Sequence, residues 1–350
     1  MSEKHQLTLK DIAKELGLAV STVSRALKSH PDISKETIKL VKDYADKHHY
    51  VPNLLAVNFR KSKTFNIGLI IPELVHQFFS SIISGVIKEA NEYGYNVMIC
   101  QSNEHVEDEK KVAKALLNSR VDGVIISLSN ETDEVSHLED FIAADIPVVQ
   151  VDKISDQFDT PKVIVNDYAG AYQAVSHLLD LGYKRIAHIR GRLIVQHSNE
   201  RYRGYAEALE KYGQKVNEEY VKVCDLLTEE EGYDFAQELM RLPEVPDAIF
   251  CVTDLVALGV MKYLREKNIK VPEEVGIIGF SNWKLGEIVS PTLSTVDQPG
   301  YEIGEKAMQL LLDKINNGME SPNERVVLSA DLIVRESVKN VWAGDENLLT

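Results

Sequence analysis

The chain has 350 residues, 44% hydrophobic and 27% charged, with a formal net charge of -15. Such a chain buries real cores and has room for about two or three domains. It excludes a membrane-spanning protein, because no window approaches the ~18 consecutive apolar residues a spanning helix needs. The charge is segregated: residues 1–65 hold 12 Lys and Arg against 7 Asp and Glu, net +5, and the remainder holds 27 against 47, net -20. A basic head ahead of an acidic body steers the head toward a polyanion and keeps the body away from it.

The N-terminus MSEKHQLTLKD is polar and lacks the apolar core of a secretory leader, so a cytoplasmic location is expected. Cys100, Cys224 and Cys251 are odd in number, widely spaced and flanked by apolar residues. They read as reduced core thiols, and no metal site or cofactor is expected.

Thr8 and Asp11 stand at capping-box spacing, so a helix is expected to begin there. Ile12, Ala13 and Leu16 recur at helical spacing, Gly17 supplies a permissive turn, and Val20, Val23 and Leu27 resume the period. Two helices joined by so short a turn cross steeply, as in a helix-turn-helix. Ser34 caps a third helix whose Ile38, Val41 and Ala45 close a small core. Opposite Val23 and Leu27, the second helix presents Ser21, Thr22, Ser24 and Arg25. Small hydroxyl residues let a helix sink into a major groove, and an arginine fork grips a guanine edge with two hydrogen bonds. An ordinary helical hairpin with a solvated Ser/Thr face is the structural alternative.

TLKDIAKELGLAVSTVSRALK followed by ISKETIKLVKDYADKHHYVPN resembles the DNA-binding headpiece of the lactose/galactose/purine repressor family, most specifically in TVSRAL and YVPN. The resemblance implies DNA contacts from Thr8, Thr22, Ser24 and Arg25, with base reading at Val20 and Ser21. The family places a Ser just before the recognition helix, where this sequence has Ala19; loss of that cap costs about 1 kcal/mol.

A linker, LLAVNFRKSKT, then runs to Thr64. In the resembling family this hinge orders on DNA and wedges an apolar side chain into the minor groove, which kinks the duplex. The resemblance carries that role to Phe59, in the stretch Ala56-Val57-Asn58-Phe59, and adds Asn53, Ala56 and Arg60 as DNA contacts. A semi-ordered linker is the plainer reading.

From Ile67 apolar strands alternate with amphipathic helices: IGLIIP, YNVMIC, DGVIIS, PVVQVD and KVIVND, then RIAHIRG, VKVCDL, AIFCVTD and VGIIGFS. SIISGVIKEANEYG is a helix lined on one side by Ile83, Val86, Ile87 and Ala90. Such alternation implies parallel sheets covered by helices, in two lobes with a ligand at the strand C-termini between them. The body resembles the type I periplasmic-binding-protein fold over residues 67–338.

The expected architecture is therefore a small all-α headpiece (1–50), a hinge (51–65), a two-lobed α/β body (66–340) and a tail (341–350). Lobe one is assigned 66–166 and 296–325, lobe two 167–295 and 326–340. Candidate effector-binding residues are Phe78 and Phe79 after the first strand; the polar strand tips Asp152, Asn166 and Asp254; Arg190; Ser281; and Gln298, just past the strand at 294–297. The resemblance places the ligand-gripping arginine at Arg201, whose planar fork suits vicinal hydroxyls or a carboxylate. For each polar tip, capping of the next helix is the structural alternative. Most relatives carry Asp where this chain has Ser281; that loss of charge, with Arg190 and Arg192, argues for an anionic effector such as a sugar acid or sugar phosphate.

No G-x-S-x-G, H-E-x-x-H, P-loop or strand-linked G-x-G-x-x-G occurs, so catalysis is not expected. A sugar-binding protein without gene regulation shares the two-lobed body but needs no headpiece. The reading these features support is a DNA-binding transcriptional regulator, a repressor, that binds a pseudo-palindromic operator as a homodimer and responds to a sugar-like effector.

Overall fold

The computed structural model describes residues 7–48, 50, 63–192 and 196–339. The chain divides into two compact units, residues 1–65 and 66–350. Among the described residues no helix is long and apolar enough to cross a membrane.

The first unit holds α1 (Leu9–Glu15), α2 (Val20–Leu27) and α3 (Lys35–Lys47). The Thr8–Asp11 capping box is formed: the Thr8 side chain accepts from Asp11 N–H, and Asp11 accepts from Thr8 N–H at 2.9 Å. Ser34 caps α3 by accepting from Thr37 N–H at 3.2 Å. α2 begins without a side-chain cap at Ala19, and its first-turn amides Thr22 and Val23 bond only the Ala19 carbonyl. Gly17, at φ 64°, makes the turn that an L side chain disfavours. Ile12, Ala13, Val23, Ala26 and Val41 form the core of this unit.

The second unit carries two parallel sheets. In lobe one, β1 (Asn66–Ile71), β2 (Asn96–Gln101), β3 (Gly123–Ile126), β4 (Val148–Val151), β5 (Lys162–Val165) and β11 (Arg325–Leu328) lie in the order β11-β5-β4-β3-β1-β2. Ile67 pairs with Val97 on one side and Gly123 on the other. Helices α4 (Gln77–Glu92), α5 (Val106–Asn118), α6 (Ser136–Ala143) and α11 (Gly300–Asn317) belong to this lobe. In lobe two, β6 (Ile186–Arg190), β7 (Val221–Val223), β8 (Ala248–Cys251) and β9 (Gly276–Ile278) lie in the order β7-β6-β8-β9. They are accompanied by α7 (Asp167–Asp180), α8 (Gln196–Lys211), α9 (Glu229–Leu239) and α10 (Asp254–Glu266). A short antiparallel pair, β10 (Thr295–Asp297) with β12 (Asp331–Ile333), belongs to the crossing segments.

The central strands of both sheets are buried on both faces, as their apolar runs require, whereas the edge strands β2, β7 and β11 expose side chains: Met98 and Ile99 of β2, Val223 of β7 and Val327 of β11. Helices approach closely at glycines: a Cβ on Gly85 of α4 would lie 2.1 Å from Tyr301 O of α11, and one on Gly259 of α10 would lie 1.9 Å from Glu229 O of α9. The α4 stripe is Ile82, Val86 and Ala90; the expected Ile83 and Ile87 are only half-buried.

The lobe boundary falls later than its sequence assignment. β11 pairs in parallel with β5, Val326 opposite Val163, which puts residues 326–328 in lobe one rather than lobe two. The chain is back beside lobe two by Ser337, whose carbonyl accepts from Ile277 N–H at 2.8 Å. The run RVVL suits the open edge of either sheet, so composition alone does not choose between them. Cys100 is half-buried, Cys224 and Cys251 are buried, and all three are free thiols.

Candidate functional site

In the N-terminal unit, α2 buries Val23 and Ala26 and leaves Val20, Ser21 and Arg25 exposed, with Thr22 and Ser24 intermediate. Val20 is 43% exposed, so it belongs to the outer face and not to the core stripe with which its spacing had grouped it. Thr8 is exposed at the start of α1. The face thus combines one apolar side chain, three hydroxyl residues and one guanidinium. Asn53, Ala56, Phe59 and Arg60 lie outside the described residues.

The second candidate site is made of groups at the C-terminal ends of the strands of both lobes. Asp152 follows β4 at φ 57°, and its carboxylate accepts from Ser127 Oγ at 3.4 Å. Burial pushes the Asp152 carboxyl up to about 7; Lys153 and Arg201 oppose the shift, and Asp167 and Glu104 add to it. Lys153 is buried, ion-paired with Glu104, and donates to Asn130 Oδ1 at 3.0 Å.

From lobe two, Arg201 of α8 is buried and donates from Nε to Asp167 Oδ1 at 2.8 Å and from Nη1 to the Val252 carbonyl at 2.6 Å. Its guanidinium lies 3.6 Å from the centroid of the Phe280 ring, a cation–π contact. Burial raises the Asp167 carboxyl against the pull of Arg201. His197 stands one helical turn before Arg201; it is buried, and its Nδ1 has no partner. Burial, with Arg201 and Lys153 nearby, holds that imidazole neutral, well below its usual pKa. Because Arg201 of lobe two acts on Asp152, and Lys153 of lobe one acts on His197, these four groups share one locality.

The remaining candidates separate. Ser281, at φ 109°, donates to Gln298 Oε1 at 2.7 Å, and the buried Gln298 Nε2 is left without a partner. Phe78 and Phe79 are buried in the first turn of α4 with ring centroids 5.4 Å apart. Asn166 is exposed and caps α7, accepting from Ala169 N–H at 3.0 Å. Asp254 is buried with both oxygens occupied: Oδ1 accepts from Thr295 Oγ1 and Oδ2 from Trp283 N–H, each at 2.6 Å. Burial lifts its carboxyl to about 6. Arg190 donates to the Gly191 carbonyl at 2.9 Å and lies 5.3 Å from the Tyr202 ring, with Nε unpartnered. Arg192 is exposed and paired with Asp225 at 3.0 Å.

Sequence reasoning passed over Lys153, Asp167 and His197. The first two are the immediate neighbours of Asp152 and Asn166, and His197 lies at i-4 from Arg201, so helical spacing from that residue was the available signal.

Residues 8–53 match the bacterial regulatory proteins of the lacI family, and residues 64–335 match the periplasmic binding proteins and sugar binding domain of the LacI family. The chain belongs to the LacI family of regulatory proteins. The PurR transcriptional repressor of Pasteurella multocida is 31% identical over 336 residues, covering 95% of this chain and 99% of that one. The structure of the transcriptional regulator CelR in complex with cellobiose matches with TM-score 0.72 at 28% identity, over 95% and 99% of the two chains. The lac repressor dimer bound to operator and the anti-inducer ONPF matches over 95% and 99% with TM-score 0.84; its 23% identity marks a shared fold. LacI-family membership makes this protein a transcriptional regulator with a helix-turn-helix unit and a sugar-binding-type body, and not an enzyme.

Proposed function

We propose that this LacI-family regulator is a cytoplasmic repressor that binds a pseudo-palindromic operator as a homodimer and is switched by a small, neutral, polyhydroxylated effector held between its lobes. The observation that carries the effector reading is that buried Asp152 and Lys153 of lobe one lie within electrostatic reach of buried Arg201 and His197 of lobe two, whose imidazole Nδ1 has no protein partner. Hydroxyl groups both donate and accept, so a polyol suits this mixture of carboxyl and neutral imidazole between neutralised cations.

The cations do not favour an anion. Arg201 is neutralised by Asp167, Lys153 by Glu104, and Arg192 by Asp225 at the surface, while Arg190 serves a backbone carbonyl. The Ser281 hydroxyl is taken up by Gln298. The case for a sugar acid or sugar phosphate thereby loses its supports, and the neutral form of the ligand is the better fit.

Dimerisation is supported by large apolar side chains left exposed on both lobes: Met98 and Ile99 on one, Leu226, Leu285 and Ile288 on the other. One helix-turn-helix reads one half-site, so a two-fold pair suits a palindrome. Lobe closure on the effector then couples the cleft to operator affinity.

Titration calorimetry of the purified protein with neutral pentoses and hexoses, their aldonic acids and their phosphates tests the effector class. Binding of a neutral sugar that also alters retention of a palindromic duplex is the expected result; binding of acids or phosphates alone would overturn it.

A further inference from the structure

The lobes also touch through a contact that lies outside the proposed binding groups. Trp283 follows the lobe-two segment Gly279–Asn282, and its indole stands edge-on to the imidazole of His76 in lobe one, centroids 5.2 Å apart and planes at 66°. His76 is set in turn by Phe79, at 6.4 Å, and by the Glu73 carboxylate, 2.9 Å from its Nε2. One residue beyond Trp283, Lys284 N–H donates across the lobes to Gln77 Oε1 at 2.9 Å. An aromatic contact and a hydrogen bond thus join the same two short segments.

The lobe-two segment is stiffened from within. Ser281 and Asn282 adopt φ of 109° and 53°, conformations that persist only when their surroundings enforce them. Asp254 accepts the Trp283 N–H, and the Asn282 side chain is pinned between Arg335 and Asp297, at 2.8 Å each. Asp254 fits only because position 279 is glycine, where a Cβ would lie 2.1 Å from Asp254 Oδ1.

We infer that His76–Trp283 and Gln77–Lys284 form an interlobe clasp that biases the two lobes toward the closed arrangement, with Asp254 as the positioning residue that aims it. The role of Asp254 is then conformational control of the cleft and not contact with the effector. A closed arrangement populated in advance raises apparent effector affinity in proportion to its population. That consequence rests on the effector reading above; the clasp itself does not.

The test needs no effector. The sequence has two tryptophans, Trp283 and Trp342, so Trp342→Phe leaves Trp283 as the sole indole reporter in the full chain. In that background, iodide quenching and the emission maximum are read for Gln77→Ala, His76→Ala, Asp254→Ala and Asp254→Asn. Gln77→Ala is decisive, because that side chain bonds Lys284 N–H and removing it exposes Trp283 only if the lobes part. The expected result is a red shift and a quenching constant raised about two-fold or more for Gln77→Ala and His76→Ala. Asp254→Asn keeps an acceptor for Trp283 N–H and stays near the parent, whereas Asp254→Ala, where it folds, matches Gln77→Ala. Unchanged quenching in Gln77→Ala, with native far-ultraviolet circular dichroism, would overturn the clasp whatever the effector proves to be.

Discussion

The Asp167 carboxylate and the Arg201 guanidinium meet through two contacts on one oxygen, Arg201 Nε at 2.8 Å and Nη2 at 2.7 Å, with both side chains buried. Removing one member strands the other as an uncompensated buried charge, which costs about 3–5 kcal/mol. Arg201→Met is therefore expected to lower unfolding free energy by that amount in urea titrations. Adding Asp167→Asn should restore a large part of it, since the residual charge is gone; a double variant no better than the single one would show that the loss came from the Val252 carbonyl and Phe280 contacts.

Asp152 makes a pH prediction whose sign is fixed by its raised value. Folding shifts its carboxyl from the ordinary carboxylate value near 3.9 up to about 7, so its contribution is complete at low pH and is lost as pH rises through about 7. Between pH 6 and 8 the loss is about 1 kcal/mol. His188, buried and lowered to about 3, and His197, also lowered, slope the other way as the unfolded chain loses its imidazole protons. Subtracting Asp152→Asn from the parent cancels those histidine contributions. The Asn variant should gain on the parent by about 1 kcal/mol from pH 6 to pH 8 in denaturant midpoints; a flat difference would mean that Asp152 ionises lower.

Ala19 leaves α2 as a described headpiece helix whose first turn has no side-chain cap, while α1 has Thr8 and α3 has Ser34. Ala19→Ser is expected to stabilise the headpiece by about 1 kcal/mol, because a hydroxyl there gives the first-turn amides of Ser21 and Thr22 a side-chain acceptor that Ala19 does not offer. Hydrogen exchange at Ser21 and Thr22 in the full chain reads the change directly. Thr8→Ala, which removes the capping box, should move α1 amides by a similar amount in the opposite direction.

The strands and the headpiece helices were legible because their signals are local: apolar runs, caps, and a glycine at a turn. The site was legible only in part, because polar strand tips look alike in sequence and differ in what they meet. Asn166 and Asp254 both follow buried strands, yet one caps a helix and the other ties Thr295 to the Trp283 backbone, 41 and 29 positions away in the chain. Asp167 was hidden because its neighbour Asn166 offered the same signal, and only the fold brings Arg201 against it. Arg190 and Arg192 suggested an anion site through composition; their partners, Gly191 O and Asp225, became visible only in three dimensions. Residues 326–328 were misplaced because an edge strand carries too weak a burial pattern, alternately exposed and half-buried, to name its sheet.

Arg25 is exposed in the last turn of α2, on the face shared with Val20 and Ser21, while Val23 and Ala26 anchor the helix from behind. An arginine so placed reads a guanine edge or grips a phosphate, and the two roles differ in what a variant loses. A base contact is worth about 1–3 kcal/mol of discrimination, whereas a phosphate contact weakens all duplexes alike and lowers the salt slope by about one. The basic head, net +5 over residues 1–65, retains most of its attraction for any duplex when one charge is removed. Arg25→Ala is accordingly expected to cost about 1–3 kcal/mol on a selected palindrome and much less on random DNA, measured by fluorescence anisotropy at two salt concentrations. Equal losses on both duplexes, with a reduced salt slope, would assign Arg25 to the phosphate backbone and leave base reading to Val20 and Ser21.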